Sequence, residues 1–239
     1  MVNTDTDSLT NSKTNQLSKN DSNQLYIKHV KNDDIKNRFI IYHQNIRGLK
    51  SKINEFMLFL PAAAPHLICF TEHHLKDYEL NNTHIPKYKL GANYCRKNLK
   101  QEGVCIYVLE TLKFTNINLL KYSKEQDIEI AAIQLNIQKE KVIILCVYRA
   151  PCGNFDYFLN KLEIILNSFH KHNSEFIICG DININYLESN NKKNQLDNLL
   201  GTYNLIDIVL SPTRIVNNSA TLIDNILSTI EGVILLNLA

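Results

Sequence analysis

From residue 38 onward, short apolar runs alternate with polar punctuation. Arg38–Gln44 (RFIIYHQ), Leu67–Glu72 (LICFTE), Gly103–Leu109 (GVCIYVL), Ile128–Leu135 (IEIAAIQL), Lys141–Tyr148 (KVIILCVY), Phe176–Gly180 (FIICG) and Leu222–Ser228 (LIDNILS) read as strands. Several are apolar at nearly every position, which marks strands covered on both faces. The period turns helical in three places. Lys50–Leu60 puts Ile53, Phe56, Met57 and Leu60 on one stripe, and Pro61 is expected to end it. Asn154–Phe169 puts Phe155, Phe158, Leu159, Leu162, Ile165, Leu166 and Phe169 on one stripe, with Asn154 as N-cap. A weaker helix covers Lys192–Thr202, with Leu196, Leu199 and Leu200 inward and Gly201 near its end. Helices separated by many strands, some in hairpin-like succession, predict an α/β sandwich rather than an all-parallel doubly wound sheet. Residues 1–36 are polar and without period, so they cannot bury enough surface to offset their ordering entropy. They read as a disordered tail ahead of one folded unit, 37–239.

A chain of 239 residues and 27.5 kDa fits that single domain. The formal net charge of +2 excludes a strongly basic coat as the basis of nucleic-acid binding, though not a local patch. No apolar run reaches the length of a membrane-spanning helix, and Met1–Asn20 has no signal-peptide core, so an intracellular protein is expected. Cys69, Cys95, Cys105, Cys146, Cys152 and Cys179 show no C-x-x-C pair. Four of them sit inside apolar runs and read as reduced, buried residues acting as small hydrophobes.

The chemistry lies at the strand ends. Asn45 follows RFIIYHQ, Glu72 ends LICFT, Tyr148 and Arg149 end VIILCV, Asp181 and Asn183 follow FIICG, and Asp224 sits within LIDNIL. Strand ends on a rigid scaffold are common places for catalytic groups. Gly180 permits a tight turn or a close approach. If the chain stays extended, alternation points Asp181 and Asn183 the same way, as a carboxylate and an amide that could orient and deprotonate a water. Glu72 and Asn45 offer only oxygen, which suits a hard ion, Mg²⁺ or Mn²⁺. Each residue alone has a plainer reading as a turn, a solvated strand end or a core tyrosine. A carboxylate inside an apolar strand, as at Asp224, is harder to dismiss.

The joint order carries more. Gln44-Asn45-Ile46-Arg47-Gly48-Leu49, Cys69-Phe70-Thr71-Glu72, Val147-Tyr148-Arg149-Ala150-Pro151, Gly180-Asp181-Ile182-Asn183, Pro212-Thr213-Arg214 and Ala220-Thr221-Leu222-Ile223-Asp224-Asn225-Ile226 follow one another. This succession resembles the endonuclease/exonuclease/phosphatase superfamily. More narrowly, it resembles the apurinic-type endonuclease domain of non-LTR, jockey-like retrotransposon polyproteins. The resemblance covers about Arg38 to Ala239. It implies a four-layered α/β sandwich, two packed mixed sheets flanked by helices, with the site at one end. It also implies phosphodiester hydrolysis with Mg²⁺ (or Mn²⁺), double-stranded DNA as partner, a monomer, and work in the nucleus. In that scheme Glu72 and Asn45 hold the metal. Asp181 orients or deprotonates the attacking water, Asn183 holds that water or the phosphate, and Tyr148 donates to a phosphate oxygen. Asp224 hydrogen-bonds a late histidine.

Two features depart from the family. Repair members carry an acidic residue two positions after the first Asn; Arg47 stands here, which favours the retrotransposon branch and suits a DNA phosphate. The family also ends in a Ser-Asp-His motif soon after the strand holding Asp224. None of the eight histidines here follows Asp224, and the sequence closes on Ile234-Leu235-Leu236-Asn237-Leu238-Ala239. The resemblance therefore implies a chain cut short of its last motif and its last strand or strands. Leu235, Leu236 and Leu238 would then lie on an incomplete edge. His73 and His74 read as an exposed loop pair without a role. For a DNA groove the expected contacts are Arg47, Arg149 and Arg214, with Arg96, Lys97 and Lys100 on a loop. Two other readings keep the fold: a catalytically silent transposon remnant, and a phosphodiesterase or phosphatase acting on a lipid or inositol phosphate.

Overall fold

The computed structural model describes residues 39–137, 139–209, 211–216 and 219–237. The segment 1–36, read as a disordered tail, lies outside the described residues, as do Arg38 and Leu238. Thirteen strands are described: β1 (Phe39–Asn45), β2 (Leu67–Thr71), β3 (Tyr88–Tyr94), β4 (Val104–Leu109), β5 (Phe114–Ile117), β6 (Glu129–Ile137), β7 (Glu140–Tyr148), β8 (Glu175–Asp181), β9 (Ile206–Asp207), β10 (Arg214–Val216), β11 (Ser219–Thr221), β12 (Asp224–Ser228) and β13 (Val233–Asn237). The helices are α1 (Leu49–Ala63), α2 (Asp77–Asn81), α3 (Phe155–His170) and α4 (Asn191–Thr202).

The strands form two mixed sheets, ordered β13-β1-β2-β4-β3 and β5-β6-β7-β8-β12-β9, beside a β10-β11 hairpin. In the first sheet β13, β1 and β2 run parallel; in the second, β7 and β8 do. The layers follow from alternation. Inward positions of the first sheet (Ile41, Leu67, Cys69, Val104, Ile106) pack on those of the second (Ile133, Ile144, Cys146, Ile177, Cys179, Ile226). Outward positions Tyr42, Ile68, Phe70 and Tyr107 pack on Phe56 and Leu60 of α1. On the far side Ile143, Leu145, Phe176 and Ile178 pack on Phe158, Leu162, Ile165, Leu196 and Leu200 of α3 and α4. The result is the four-layered α/β sandwich expected, helix on sheet on sheet on helix.

Asn154 caps α3 as expected, accepting the Tyr157 N–H at 2.9 Å. Pro61 does not end α1, which continues to Ala63 and closes where the Ala64 N–H reaches the Leu60 carbonyl. A proline in the last turn removes a single ladder bond there, and the following alanines keep the helix going. β3, β5 and the short strands are not marked by the apolar runs of the sequence. β3 carries Gly91 at a register shift, and β5 is a polar edge, so neither shows clean alternation.

Candidate active site

Register brings the strand-end residues together. Asn45 pairs with Thr71 in the first sheet, while Tyr148, Asp181 and Asp224 pair in a row across β7, β8 and β12 of the second. One side chain joins the sheets. The Asn45 Nδ2 amide donates to Glu72 Oε1 at 2.8 Å and to Asp181 Oδ2 at 2.7 Å. Asp181 Oδ1 accepts the Asn183 N–H at 3.0 Å, so both of its oxygens are held. Gly180 makes room: a Cβ there would stand 1.8 Å from the Val147 carbonyl of β7.

The loops around this point hold sparsely populated backbone. Arg47, Glu72, His74 and Asn183 all have positive φ, between 44° and 60°. Such residues cost about 1–3 kcal/mol each and persist where surroundings over-determine them. Here the Gly48 N–H donates to the Glu72 carbonyl, Leu49 to His73, and His74 to Glu102, knitting three loops around the site.

Asp181 is almost wholly buried, and burial, followed by the neighbouring Asp224 charge, pushes its carboxyl well above the usual range. Burial raises Asp224 as well. Burial and then Glu72, Glu102 and Asp181 push the Tyr148 phenol up, so it stays a proton donor. The donor set fits a hard cation. Asn45 Oδ1 is buried without a partner, and the Glu72 carboxylate next to it supplies the charge.

Other expectations are corrected. The chain does not stay extended past Asp181: the strand ends there, and the Asn183 Nδ2 donates to the Arg149 carbonyl rather than lying beside the carboxylate. Arg149 is buried at 1 % exposure and spends its donors on the protein's own backbone. Its guanidinium donates to the carbonyls of Ile182, Ala150, Gly153 and Asn183. A basic residue after a strand reads as a ligand for phosphate; four backbone acceptors make it a brace instead. Arg96 is also buried, paired with Glu102 and Glu129. Arg47, Lys97, Lys100 and Arg214 are exposed. His73 is not an exposed loop residue but wholly buried, and His74 is half-buried with Nε2 3.8 Å from Glu72 Oε2.

Two residues stand at the site to which the sequence assigned no role. The histidine facing Asp224 is His43 of β1, with Nδ1 3.9 Å from Oδ1. Alternation already put His43 on the face of Asn45, two residues away. Thr213 Oγ1 accepts the N–H groups of Ile223 and Asp224, fixing the start of β12.

Solved structures share this fold. The endonuclease domain of TRAS1, a telomere-specific non-LTR retrotransposon, superposes with a TM-score of 0.60 at 13 % identity over 79 % of this chain and 84 % of that one. The AP endonuclease LMAP from Leishmania major gives 0.62 at 13 % identity over 84 % and 82 %. The chain has the endonuclease/exonuclease/phosphatase fold. A third member of that fold, the 3′ phosphatase NExo from Neisseria bound to a product DNA hairpin, gives 0.57 at 15 % identity over 79 % and 86 %. No family model matches the chain, and no curated protein sequence does. Identities this low establish the fold alone, so what the site does is argued from its own residues.

Proposed function

We propose that this chain is a Mg²⁺- or Mn²⁺-dependent phosphodiester hydrolase that nicks one strand of double-stranded DNA, in the manner of a retrotransposon endonuclease. The observation that carries the reading is the Asn45 amide held between Glu72 and Asp181, with its own oxygen left unpartnered. Neighbours of the same fold were solved with a DNA hairpin or a single-stranded DNA product, which favours a nucleic-acid substrate over a lipid.

Glu72 and Asn45 Oδ1 would hold the ion, which when bound supplies neutralisation of charge at the phosphate and leaving oxygen. Asp181 takes the proton of the attacking water. Its raised affinity for a proton suits a base working closer to neutrality. The Asn45 amide and the Asn183 N–H fix the direction of that carboxylate. Tyr148 donates its hydroxyl to a phosphate oxygen as charge builds there. Asp224, set by Thr213 and faced by His43, supports the same end of the site. Arg47, exposed and close enough to bias Asp224, meets the DNA backbone, with Arg214, Lys97 and Lys100 further out. A target in chromosomal DNA assigns the work to the nucleus.

The test is nicking of supercoiled plasmid with Mg²⁺ or EDTA, beside Asp181→Ala. Metal-dependent nicking that falls on the order of 10²- to 10⁴-fold in the variant supports the reading. A folded wild-type chain that never nicks supports the catalytically silent alternative. Release of phosphate from inositol phosphates instead would move the substrate class.

A further inference from the structure

One layer beneath the active site, the space between the sheets changes chemistry. Stepping back two residues on each strand from the catalytic layer leads from Thr71 to Cys69, from Tyr148 to Cys146 and from Asp181 to Cys179. Alternation keeps these cysteines on the same inner faces. Cys69 comes from the first sheet. Cys146 and Cys179 are register partners on the parallel strands of the second. All three are wholly buried, and their Sγ atoms lie within 4.8 Å of one another. They are distant in sequence, so no spacing motif announces them.

We propose that Cys69, Cys146 and Cys179 form a three-thiolate site for a thiophilic closed-shell (d10) metal ion, a class whose biological members are Cu(I) and Zn(II). Three sulfurs about 2.3 Å from a trigonal ion stand about 4 Å apart, so closure from the present spacing takes less than about 1 Å of movement. Thiolate sulfur selects soft ions such as Cu(I) over the hard ions that suit Glu72 and Asn45, so the two sites do not compete. Beside one another the thiols make weak contacts to backbone, Cys146 Sγ to the Phe70 carbonyl and Cys179 Sγ to the Leu145 carbonyl, each at 3.6 Å. On binding, each thiol gives its proton to solvent and its sulfur bonds the ion; nothing is oxidised or reduced. The ion ties the two sheets together directly under the catalytic layer. Because the site is closed to solvent, the ion enters as the sheets assemble.

Cd(II) serves as the probe. The full chain, reduced and denatured, is refolded with Cd(II), treated with a chelator and desalted. Retained cadmium and sulfur-to-metal charge-transfer absorption are then read, with circular dichroism to confirm folding. The expected result is about one Cd(II) per wild-type chain, retained by Cys152→Ala and Cys105→Ala and lost, with its absorption, in Cys69→Ala and in Cys146→Ala. Using two different ligand variants covers the failure of either one to fold. The proposal is overturned if the folded wild-type chain retains no Cd(II), or if retention depends on the exposed Cys152 instead. Neither readout needs nuclease activity, so the result stands apart from the proposed function.

Discussion

Lowering the pH through the range of an ordinary imidazole should destabilise the fold through His73. The ring is sealed behind the site: its Nδ1 accepts the Leu75 N–H at 3.0 Å, and Nε2 faces the Tyr94 carbonyl at 3.2 Å. Both contacts are met by one neutral tautomer, with the proton on Nε2. A second proton would land on Nδ1 against the Leu75 N–H and bury a charge. Burial accordingly pushes the His73 pKa down to about 4 from 6.5, with the Tyr94 carbonyl opposing the fall. The unfolded chain therefore binds more protons between those values, and stability rises with pH across them. A depressed folded pKa gives stability that is present above about 6.5 and lost as pH falls through about 4. At about 1.4 kcal/mol per unit, the shift amounts to about 3 kcal/mol. Asp181 and Asp224, whose carboxyls are raised, change in the opposite sense, losing stability as pH rises. A comparison of wild type with His73→Gln removes them. Urea unfolding of both at pH 7 and pH 4 should show the wild type losing about 3 kcal/mol more than the variant. Equal losses would refute the assignment of the neutral, doubly bonded ring.

Three further substitutions separate structural from functional roles. Gly180→Ala drives a Cβ to 1.8 Å from a backbone oxygen that cannot step aside, so it should cost about 3 kcal/mol or more, read by denaturation. Arg149→Met strips donors from four carbonyls and should cost several kcal/mol, roughly 1–3 for each group left unpaired. A stable Arg149→Met protein that merely bound DNA less well would restore its substrate role. Arg47→Ala should leave stability near wild type and lower the slope of log affinity against log salt by about 1, measured by titration of duplex DNA at several salt concentrations.

How far the sequence reaches can be judged from these same residues. Asn45, Glu72, Tyr148, Asp181 and Asp224 were legible because strand alternation and strand ends are local properties. The layering was legible because β2, β7 and β8 are apolar nearly throughout. Arg149 and Arg96 misled because a sequence shows a charge but not its partners, and each set includes groups from distant segments, Ile182 and Asn183 for Arg149 and Glu129 for Arg96. His73 misled for the same reason: Gly103, thirty residues on, gives the ring its room, and a Cβ there would stand 2.5 Å from Nε2. The convergence of Cys69, Cys146 and Cys179 depends on how two sheets face each other, which no spacing records.

The unpaired groups at this end of the sandwich argue that the site is completed by what it binds. Asn45 Oδ1, Thr71 Oγ1, Asp224 Oδ1, His43 Nε2 and His74 Nε2 are all buried without a hydrogen-bond partner, and they lie in or beside the candidate site. Each such atom costs about 1–3 kcal/mol, which the remainder of the core must offset. Fewer such atoms lie elsewhere among the described residues, Asn225 Oδ1 on the opposite face of β12 being one. A hard cation at Glu72 and Asn45 removes one of these penalties and screens the Asp181–Asp224 repulsion. Ligand binding to the folded state alone stabilises by about 2.7 kcal/mol at a hundredfold excess over its dissociation constant. Mg²⁺ should therefore raise the thermal unfolding midpoint of the wild type and leave Asn45→Ala, which lacks the orphaned oxygen, nearly unmoved. A chain that nicks DNA with Mg²⁺ yet melts at the same temperature with and without it would show that these orphaned atoms are not what the ion satisfies.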